Sequence, residues 1–438
     1  MGTPREDALD IFSYALKVAN VGRAMEQRVR FNDEGTMEID DRRYVLREYR
    51  KLILIALGKA AAAMTVSFLR CGKKAVDRFE GVIVTPDPFD APSWRFKSFC
   101  GGHPTPNVAS MEAAEEIQRL LTTLTQQDLV VFLISGGGSS LVEQFLLPNT
   151  SLETIAGTHK ALVESGAPIT AMNAVRKHLS SVKGGRLAAF AAPAEQLTIV
   201  ISDVPVGALD AISSGPTTPD RSTVEEVYRI AEEYRLVERL PAAIGKKIES
   251  RALPETPKPG DSIFGRSHWS VLLDSSSLEA AAAKRAAELG WHVEIDDTCD
   301  DWNAEQAATY LVERARTLRR ERGRVCLLSA GEVAVAVAPG ATGKGGRNQH
   351  FALLASKLIA ADSITVLSAG SDGIDGNSPA AGAVVDGETL ARAAREGYPV
   401  DVALSAFDSY SLFSLLADAI TTGPTRNNLR DLRVLLAS

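Results

Sequence analysis

Leu129-Val-Val-Phe-Leu-Ile-Ser-Gly-Gly-Gly-Ser-Ser140 runs six apolar residues into a serine and then three glycines. Continuous apolar character without period-two alternation marks a strand buried on both faces, as in a parallel sheet. The same sentence structure recurs upstream. Lys51-Leu-Ile-Leu-Ile-Ala-Leu57 ends at Gly58-Lys59 and passes into the helix former Ala60-Ala-Ala-Ala-Met64. Gly81-Val-Ile-Val-Thr85 is followed by a proline-rich loop. Leu197-Thr-Ile-Val-Ile201 is followed by Ser202-Asp203-Val204-Pro205. Strands that alternate with helices predict an α/β domain with a parallel sheet. In such a sheet the loops after the strand C-termini form the binding crevice, and the unusual sequences fall on those loops.

The pattern resumes beyond a proline-rich crossing at 253–259. His268 to Leu273 is expected to open it as a strand, and Val325-Cys-Leu-Leu-Ser329 leads to Gly331-Glu332. Gly343-Lys-Gly-Gly-Arg-Asn-Gln349 stands before the apolar helical run Phe351 to Ala355. Ile364-Thr-Val-Leu-Ser368 leads to Gly370-Ser-Asp-Gly-Ile-Asp-Gly376. A chain of 438 residues exceeds one ordinary core. The expectation is therefore an α/β protein of two three-layer domains with mainly parallel sheets. They divide as 1–250, a crossing at 251–262, and 263–438. At the other end of the first domain, 7–29 reads as one amphipathic helix.

Bulk composition excludes several classes. Hydrophobic residues at 45% and charged residues at 24% are ordinary for a globular protein. A net charge of −7 argues against a nucleic-acid footprint, while local cations can still serve an anionic substrate. Cys71, Cys100, Cys299 and Cys326 form no C-x-x-C pair, which fits a reducing cytoplasm. The polar start is unlike a signal peptide, and no apolar run approaches the ~20 residues of a membrane helix. These features predict a cytoplasmic protein with no membrane and no nucleic-acid partner.

The loops carry the candidate chemistry. Ser135, Gly136, Gly137, Gly138 and Ser139 offer backbone N–H groups and hydroxyls to an anion, though the same sequence also serves as a tight turn into a helix. Lys59 sits just past a buried strand, where the helix dipole disfavours a cation, so its position suggests use by a ligand. Gly345 and Gly346, beside Arg347 and Asn348, suggest a phosphate-handling loop or a flexible basic turn. Asp203, Glu332, Asp372 and Asp375 lie on loops after strands, where carboxylates suit Mg²⁺ held through water and phosphate. The standard nucleotide signatures fail: G-x-G-x-x-G lacks its third glycine at Leu141, and neither Gly58-Lys59 nor Gly343-Lys344 completes a P-loop.

Taken together, these stretches resemble the glycerate 2-kinase family (class II glycerate kinases with a C-terminal MOFRL domain). The resemblance rests on Ala56-Leu-Gly-Lys-Ala60, Gly102-His-Pro-Thr-Pro106, Ile134-Ser-Gly-Gly-Gly-Ser139 and Met172-Asn-Ala-Val-Arg-Lys-His178. It continues through Lys183-Gly-Gly-Arg-Leu187, Ile201-Ser-Asp-Val204, Ser214-Gly-Pro-Thr217, the 343–349 loop, the 370–376 loop and Thr422-Gly-Pro-Thr425. It implies two α/β domains with an active-site cleft between them, and a final segment, 421–438, that returns to the first. The implied activity is ATP- and Mg²⁺-dependent phosphorylation of D-glycerate to 2-phosphoglycerate by a monomer or small homo-oligomer. The implied catalytic residues are Lys59 and Arg347. Substrate and nucleotide fall to the 135–139 loop, Asn173, Arg176, Lys183, Gly184, Gly345, Gly346 and Asn348, and metal to Asp203, Glu332 and Asp372. Departures from the family pattern at Ala208, Ala330, Val333, His350, Phe407 and Arg426 imply a divergent member. NAD(P)-dependent hydroxypyruvate reduction, or ligand binding without catalysis on the same scaffold, are the alternatives.

Overall fold

The computed structural model describes residues 2–72, 77–205, 207–425 and 427–438. Arg426, one of the departures above, lies outside the described residues. Two compact units emerge: Val21–Leu272, and Met1–Asn20 together with Leu273–Ser438. The break therefore falls later than the expected 251–262 crossing, and the chain's first segment belongs with its second half. The single helix expected over 7–29 is two, Pro4–Val18 and Val21–Arg28. Between them Ala19 leaves helical geometry (φ −78°, ψ 55°), and its carbonyl accepts a hydrogen bond from the Asn427 side chain.

The 21–272 unit begins with a small antiparallel sheet of β1 (Val29–Phe31), β2 (Thr36–Ile39) and β3 (Arg42–Val45). Its main sheet contains β4 (Leu52–Leu57), β5 (Phe79–Thr85), β6 (Phe96–Cys100), β7 (Leu129–Ile134), β8 (Glu195–Ile201) and β9 (Ser267–Leu273), in the order β6-β5-β4-β7-β8-β9. The pairs from β6 through β8 are all parallel. Every residue of β4 and β7 is buried, which their unbroken apolar character requires. One face carries Ile53, Ile55, Val130 and Phe132 against Ala113 and Ile117 of the Val108–Leu121 helix. β9 was expected to open the second domain. It instead edges this sheet beside β8, where the Gln196 N–H donates to the Arg266 carbonyl at 2.9 Å.

The strand order has one reversal. From β4 the chain moves outward to β5 and β6, then returns to place β7 on the other side of β4. This is a topological switch point, where adjacent loops diverge and leave a crevice at the strand C-termini. Gly58-Lys59 follows β4 and Ser135–Ser140 follows β7. The two most distinctive loops of this half therefore share that crevice.

The second unit's sheet contains β10 (His292–Ile295), β11 (Val325–Ala330), β12 (Ile364–Gly370), β13 (Gly382–Asp386), β14 (Ala419–Ile420) and β15 (Asp431–Ala437). Its order is β10-β11-β15-β12-β13-β14. The strands β10, β11, β12 and β14 run one way, and β13 and β15 run against them. This sheet is accordingly mixed. β15 fills the gap between β11 and β12 and pairs antiparallel with both, and β13 pairs antiparallel with β12 and β14. The last segment thus lies at the centre of the second sheet, in contrast to the expected return to the first domain. Helices Ala304–Arg322 and Arg347–Leu358 cover one face through Leu311, Ala315, Phe351 and Ala355. Helices Pro4–Val18 and Ser275–Glu288 pack against the same sheet and against each other, giving three layers.

Among the described residues, no helix is long and apolar enough to cross a membrane.

Candidate active site

In the 21–272 unit the two switch-point loops are locked together by their own backbones. Lys59 N–H donates to the Gly136 carbonyl at 2.9 Å, and Ala60 N–H donates to Ser135 Oγ at 2.9 Å. The Ser135 carbonyl accepts from Ser213 Oγ at 2.7 Å. The buried Ser135 hydroxyl oxygen thus helps hold the Lys59 loop. Gly137 has φ +82°, a conformation that favours glycine, and opens a single helical turn, Gly138–Leu141.

The glycines mark close approach. A methyl group on Gly136 would lie 1.7 Å from Asp203 Oδ2. One on Gly137 would lie 3.1 Å from Lys59 Cγ and 3.3 Å from the His103 ring. Lys59, His103 and Asp203 thus gather around two successive glycines, with the Lys59 side chain largely exposed to solvent. Burial and the Lys59 charge push the His103 imidazole below its ordinary pKa, which favours its neutral form. Ser139 Oγ lies 3.0 Å from Ser214 Oγ. Ser213 and Ser214 both have positive φ, 50° and 62°, which is strained for non-glycine residues.

The remaining expected residues of this unit divide. Arg176 reaches the same region and donates from Nη1 to Asn173 Oδ1 at 3.3 Å. Lys183, expected to bind substrate, is fully buried and ion-paired with Glu143. Glu143 is itself buried, accepts from Ser180 Oγ at 2.6 Å, and lies 3.3 Å from His159 Nε2. Burial alone would raise the Glu143 carboxyl, but Lys183 and His159 outweigh it and hold the group below its ordinary range. Breaking such a pair strands a buried charge, so Lys183 serves the fold beneath the site. Gly184 (φ +56°) is a turn glycine whose N–H donates to the Ser214 carbonyl at 3.0 Å.

The second unit gathers carboxylates around Arg347. Because β15 runs against β11 and β12, its first residue, Asp431, lies beside their C-terminal ends. Arg347 Nε donates to Asp431 Oδ2 at 2.6 Å, and Nη2 pairs with Glu332 Oε1 at 2.6 Å. Glu332, expected as a metal ligand, is thus engaged by Arg347. Burial and the nearby Asp431 raise its pKa against the pull of Arg347. Burial lowers and the two carboxylates raise the Arg347 pKa, with a net upward shift. Asp372 lines the same cavity, of about 720 Å³, and its Oδ1 accepts from Ile374 N–H at 3.0 Å.

Four backbone donors of the 343–349 loop are taken up within the protein. Lys344 N–H donates to Asp408 Oδ1 and Gly345 N–H to Asn377 Oδ1. The Asn348 and Gln349 N–H groups, at the start of the Arg347–Leu358 helix, donate to the buried Asp375 carboxylate at 3.1 and 2.9 Å. The helix is capped from within the protein, and Asn348 is 1% exposed, donating to Asp375 and accepting from Ser368 Oγ. Gly345 and Gly346 are glycine for space: added methyl groups would lie 2.0 Å from Ser409 Oγ and 2.3 Å from Asp375 Oδ1. The loop's one cation directed to carboxylates of the cavity is Arg347. Two of the departures, His350 and Phe407, stack on one another there (centroids 5.4 Å, planes 9° apart).

Sequence reasoning did not single out Asp431, Glu143 or Ser213, and Ser214 entered only within the resembling stretch Ser214–Thr217. Asp431 carried a signal, a lone carboxylate opening the apolar run Leu432–Ala437. Glu143 carried none.

Residues 7–249 match the domain of unknown function DUF4147, and residues 325–431 match the MOFRL family. The chain is 39% identical to a protein of Agrobacterium vitis provisionally named a hydroxypyruvate reductase, over 88% of this chain and 99% of that one. It is 33% identical to the glycerate 2-kinase of Pyrococcus horikoshii, over 99% and 97% of the two chains. The crystal structure of glycerate kinase from Thermotoga maritima superposes with a TM-score of 0.85 at 31% identity, covering 99% of both chains. Near-complete coverage by kinases, together with both family matches, places this chain in the glycerate 2-kinase family, with a C-terminal MOFRL domain.

Proposed function

We propose that the chain transfers the γ-phosphoryl group of ATP to the C2 hydroxyl of D-glycerate, giving 2-phosphoglycerate and ADP, with Mg²⁺ as its metal. The observation that carries this reading is the convergence of Lys59 and Asp203 on Gly136 and Gly137 at the sheet's switch point. Phosphoryl transfer asks a protein for position and charge stabilisation more than for covalent chemistry. The C2 oxygen bonds to the γ-phosphorus, the bond to the bridging oxygen breaks, ADP leaves, and the hydroxyl proton is released. The Lys59 ammonium neutralises charge on the transferring group, and the close backbone at Gly137 keeps its approach open. Arg347 is the second catalytic cation, held in orientation by Asp431.

Mg²⁺ needs only one or two protein carboxylates beside water and phosphate oxygens. Asp203 and Asp372, each in its own unit, are carboxylates of that kind. No group of three or more His, Cys, Asp or Glu suited to a metal occurs among the described residues. Bound there, Mg²⁺ would neutralise phosphate oxygens.

The test is ADP release from Mg-ATP with and without D-glycerate, followed by NMR assignment of the phosphorylated carbon. Release should require glycerate, with phosphorus on C2; no glycerate-dependent ADP overturns the reading. NADH oxidation by hydroxypyruvate without ATP would favour the reductase named for the Agrobacterium relative. Leu141 in place of the third dinucleotide glycine argues against that outcome.

A further inference from the structure

Beside the Gly137 loop the 21–272 unit has a cavity of about 490 Å³, lined by His103, Ser139, Ser140, His159 and Arg176. Its volume is in the range of small-molecule sites. The informative group is Arg176. Its Nε is buried and has no hydrogen-bond partner among the described residues, and its one side-chain bond goes to the neutral amide of Asn173. No carboxylate among the described residues lies within ion-pair distance of it. The buried Glu143 carboxylate is ion-paired with Lys183. Burial pulls the Arg176 pKa down, only partly offset by Glu143. An arginine stays charged in a protein, so the cavity wall holds one uncompensated, partly desolvated positive charge.

The rest of the lining adds hydrogen-bonding capacity without adding net charge. His103 and His159 both have imidazole pKa values lowered by burial. Ser139 and Ser140 contribute hydroxyls. Lys160 and Glu164, both also in the lining, pair with each other at 3.8 Å and cancel in net charge. One guanidinium with hydroxyls and neutral imidazoles matches a hydroxylated monoanion better than a polyphosphate, whose several charges call for several cations.

We infer that this cavity seats the carboxylate of the hydroxy-acid substrate on Arg176, with its hydroxyl groups toward Ser139, Ser140 and His103. This rests on the kinase reading above and places the acceptor beside Gly137, over which the Lys59 side chain lies. It assigns the acid to the 21–272 unit and makes Arg176 the residue that selects an acid over an uncharged polyol.

Calorimetric titration of D-glycerate into the full chain, with and without Mg-ADP, tests this directly. Arg176→Gln should weaken glycerate binding about 10- to 100-fold, the loss expected for a charge-assisted pair. Mg-ATP affinity should stay within about twofold, and KM for glycerate should rise far more than kcat falls. Glycerol, which lacks the carboxylate, should bind no better to wild type than to the variant. If thermal melting shows that Arg176→Gln does not fold, Ala156→Leu fills the same cavity from the Leu152–Glu164 helix and should give the same selective loss. Loss of Mg-ATP or inorganic phosphate binding with glycerate affinity intact would make the cavity a phosphate seat and overturn the inference. So would unchanged glycerate binding, or none in the wild type. Arg176-dependent glycerate binding without ADP production would sink the kinase reading and leave this one standing; Arg176-independent turnover would do the reverse.

Discussion

At the scale of single residues, the two proposed catalytic cations differ in how they are held. Lys59 has an exposed side chain lying over a glycine that leaves it room. Arg347 is braced by Asp431 and Glu332. Lys59→Ala and Arg347→Ala are each expected to lower kcat at least about a hundredfold, as removal of a preorganised charge does. Their melting temperatures should separate them. Lys59→Ala should melt near wild type, whereas Arg347→Ala leaves the buried Asp431 carboxylate unpaired and should melt lower. Turnover near normal in either variant would remove that residue from the catalytic set. The sequence made both cations legible, because a lysine directly after a buried strand and an arginine among glycines are out of place in ordinary loops. It could not show that Lys183 is buried. A lysine beside two glycines reads as available until its partner is known, and Glu143 lies forty residues away in an unremarkable stretch.

At the scale of elements, the Arg347–Leu358 helix depends on Asp375. Its carboxylate takes two backbone N–H groups and the Gln349 side chain at the helix start. Burial nonetheless outweighs these bonds and raises its pKa to about 6. A carboxyl with a folded pKa above its unfolded value of 3.8 favours the native state fully below pH 3.8. That contribution fades as pH rises through about 6, by about 3 kcal/mol in all. Asp375→Asn should therefore flatten the fall in denaturation midpoint between pH 4 and 7. A variant slope equal to wild type would show that Asp375 does not titrate in that window. This capping also explains why the glycine-rich loop misled sequence reasoning. A helix N-terminus behind glycines resembles an anion site, and only the fold shows that its donors already have an acceptor in the next loop. Buried strands such as β4 and β7 were legible because an unbroken apolar run fits few other structures. β9 was legible as a strand but not as a member of the first sheet, since sheet membership is set by pairing partners distant in sequence.

At the scale of the whole chain, the first helix is part of the unit built by the last third. Ala8, Ile11, Phe12 and Ala15 are at most 1% exposed. Asp7 accepts from Trp291 Nε1 and Arg324 Nη2, both at 2.9 Å, and Asp10 pairs with Arg285. Removing residues 1–20 uncovers a face of the second sheet and should cost more than about 4 kcal/mol, given the transfer cost of the side chains lost. Amide hydrogen exchange should then quicken more in 273–438 than in 21–272. Equal effects on both stretches would contradict the assignment. Amphipathicity announced this helix, but nothing local to it named the surface it covers.

The position of β15 has a consequence for how the molecule comes into being. Five strands of the second sheet precede it in the chain, yet β11 and β12 meet only through it. Until synthesis reaches Asp431, a growing chain can hold two partial sheets with open inner edges, the kind of surface that recruits a neighbour's strand. Asp431 then does two things on arrival: it begins the strand that closes the gap, and it braces Arg347. The nascent protein closes its sheet and completes the bracing of Arg347 in one late event, so a copy that stops short of Asp431 keeps two unpaired inner edges and an Arg347 held by Glu332 alone.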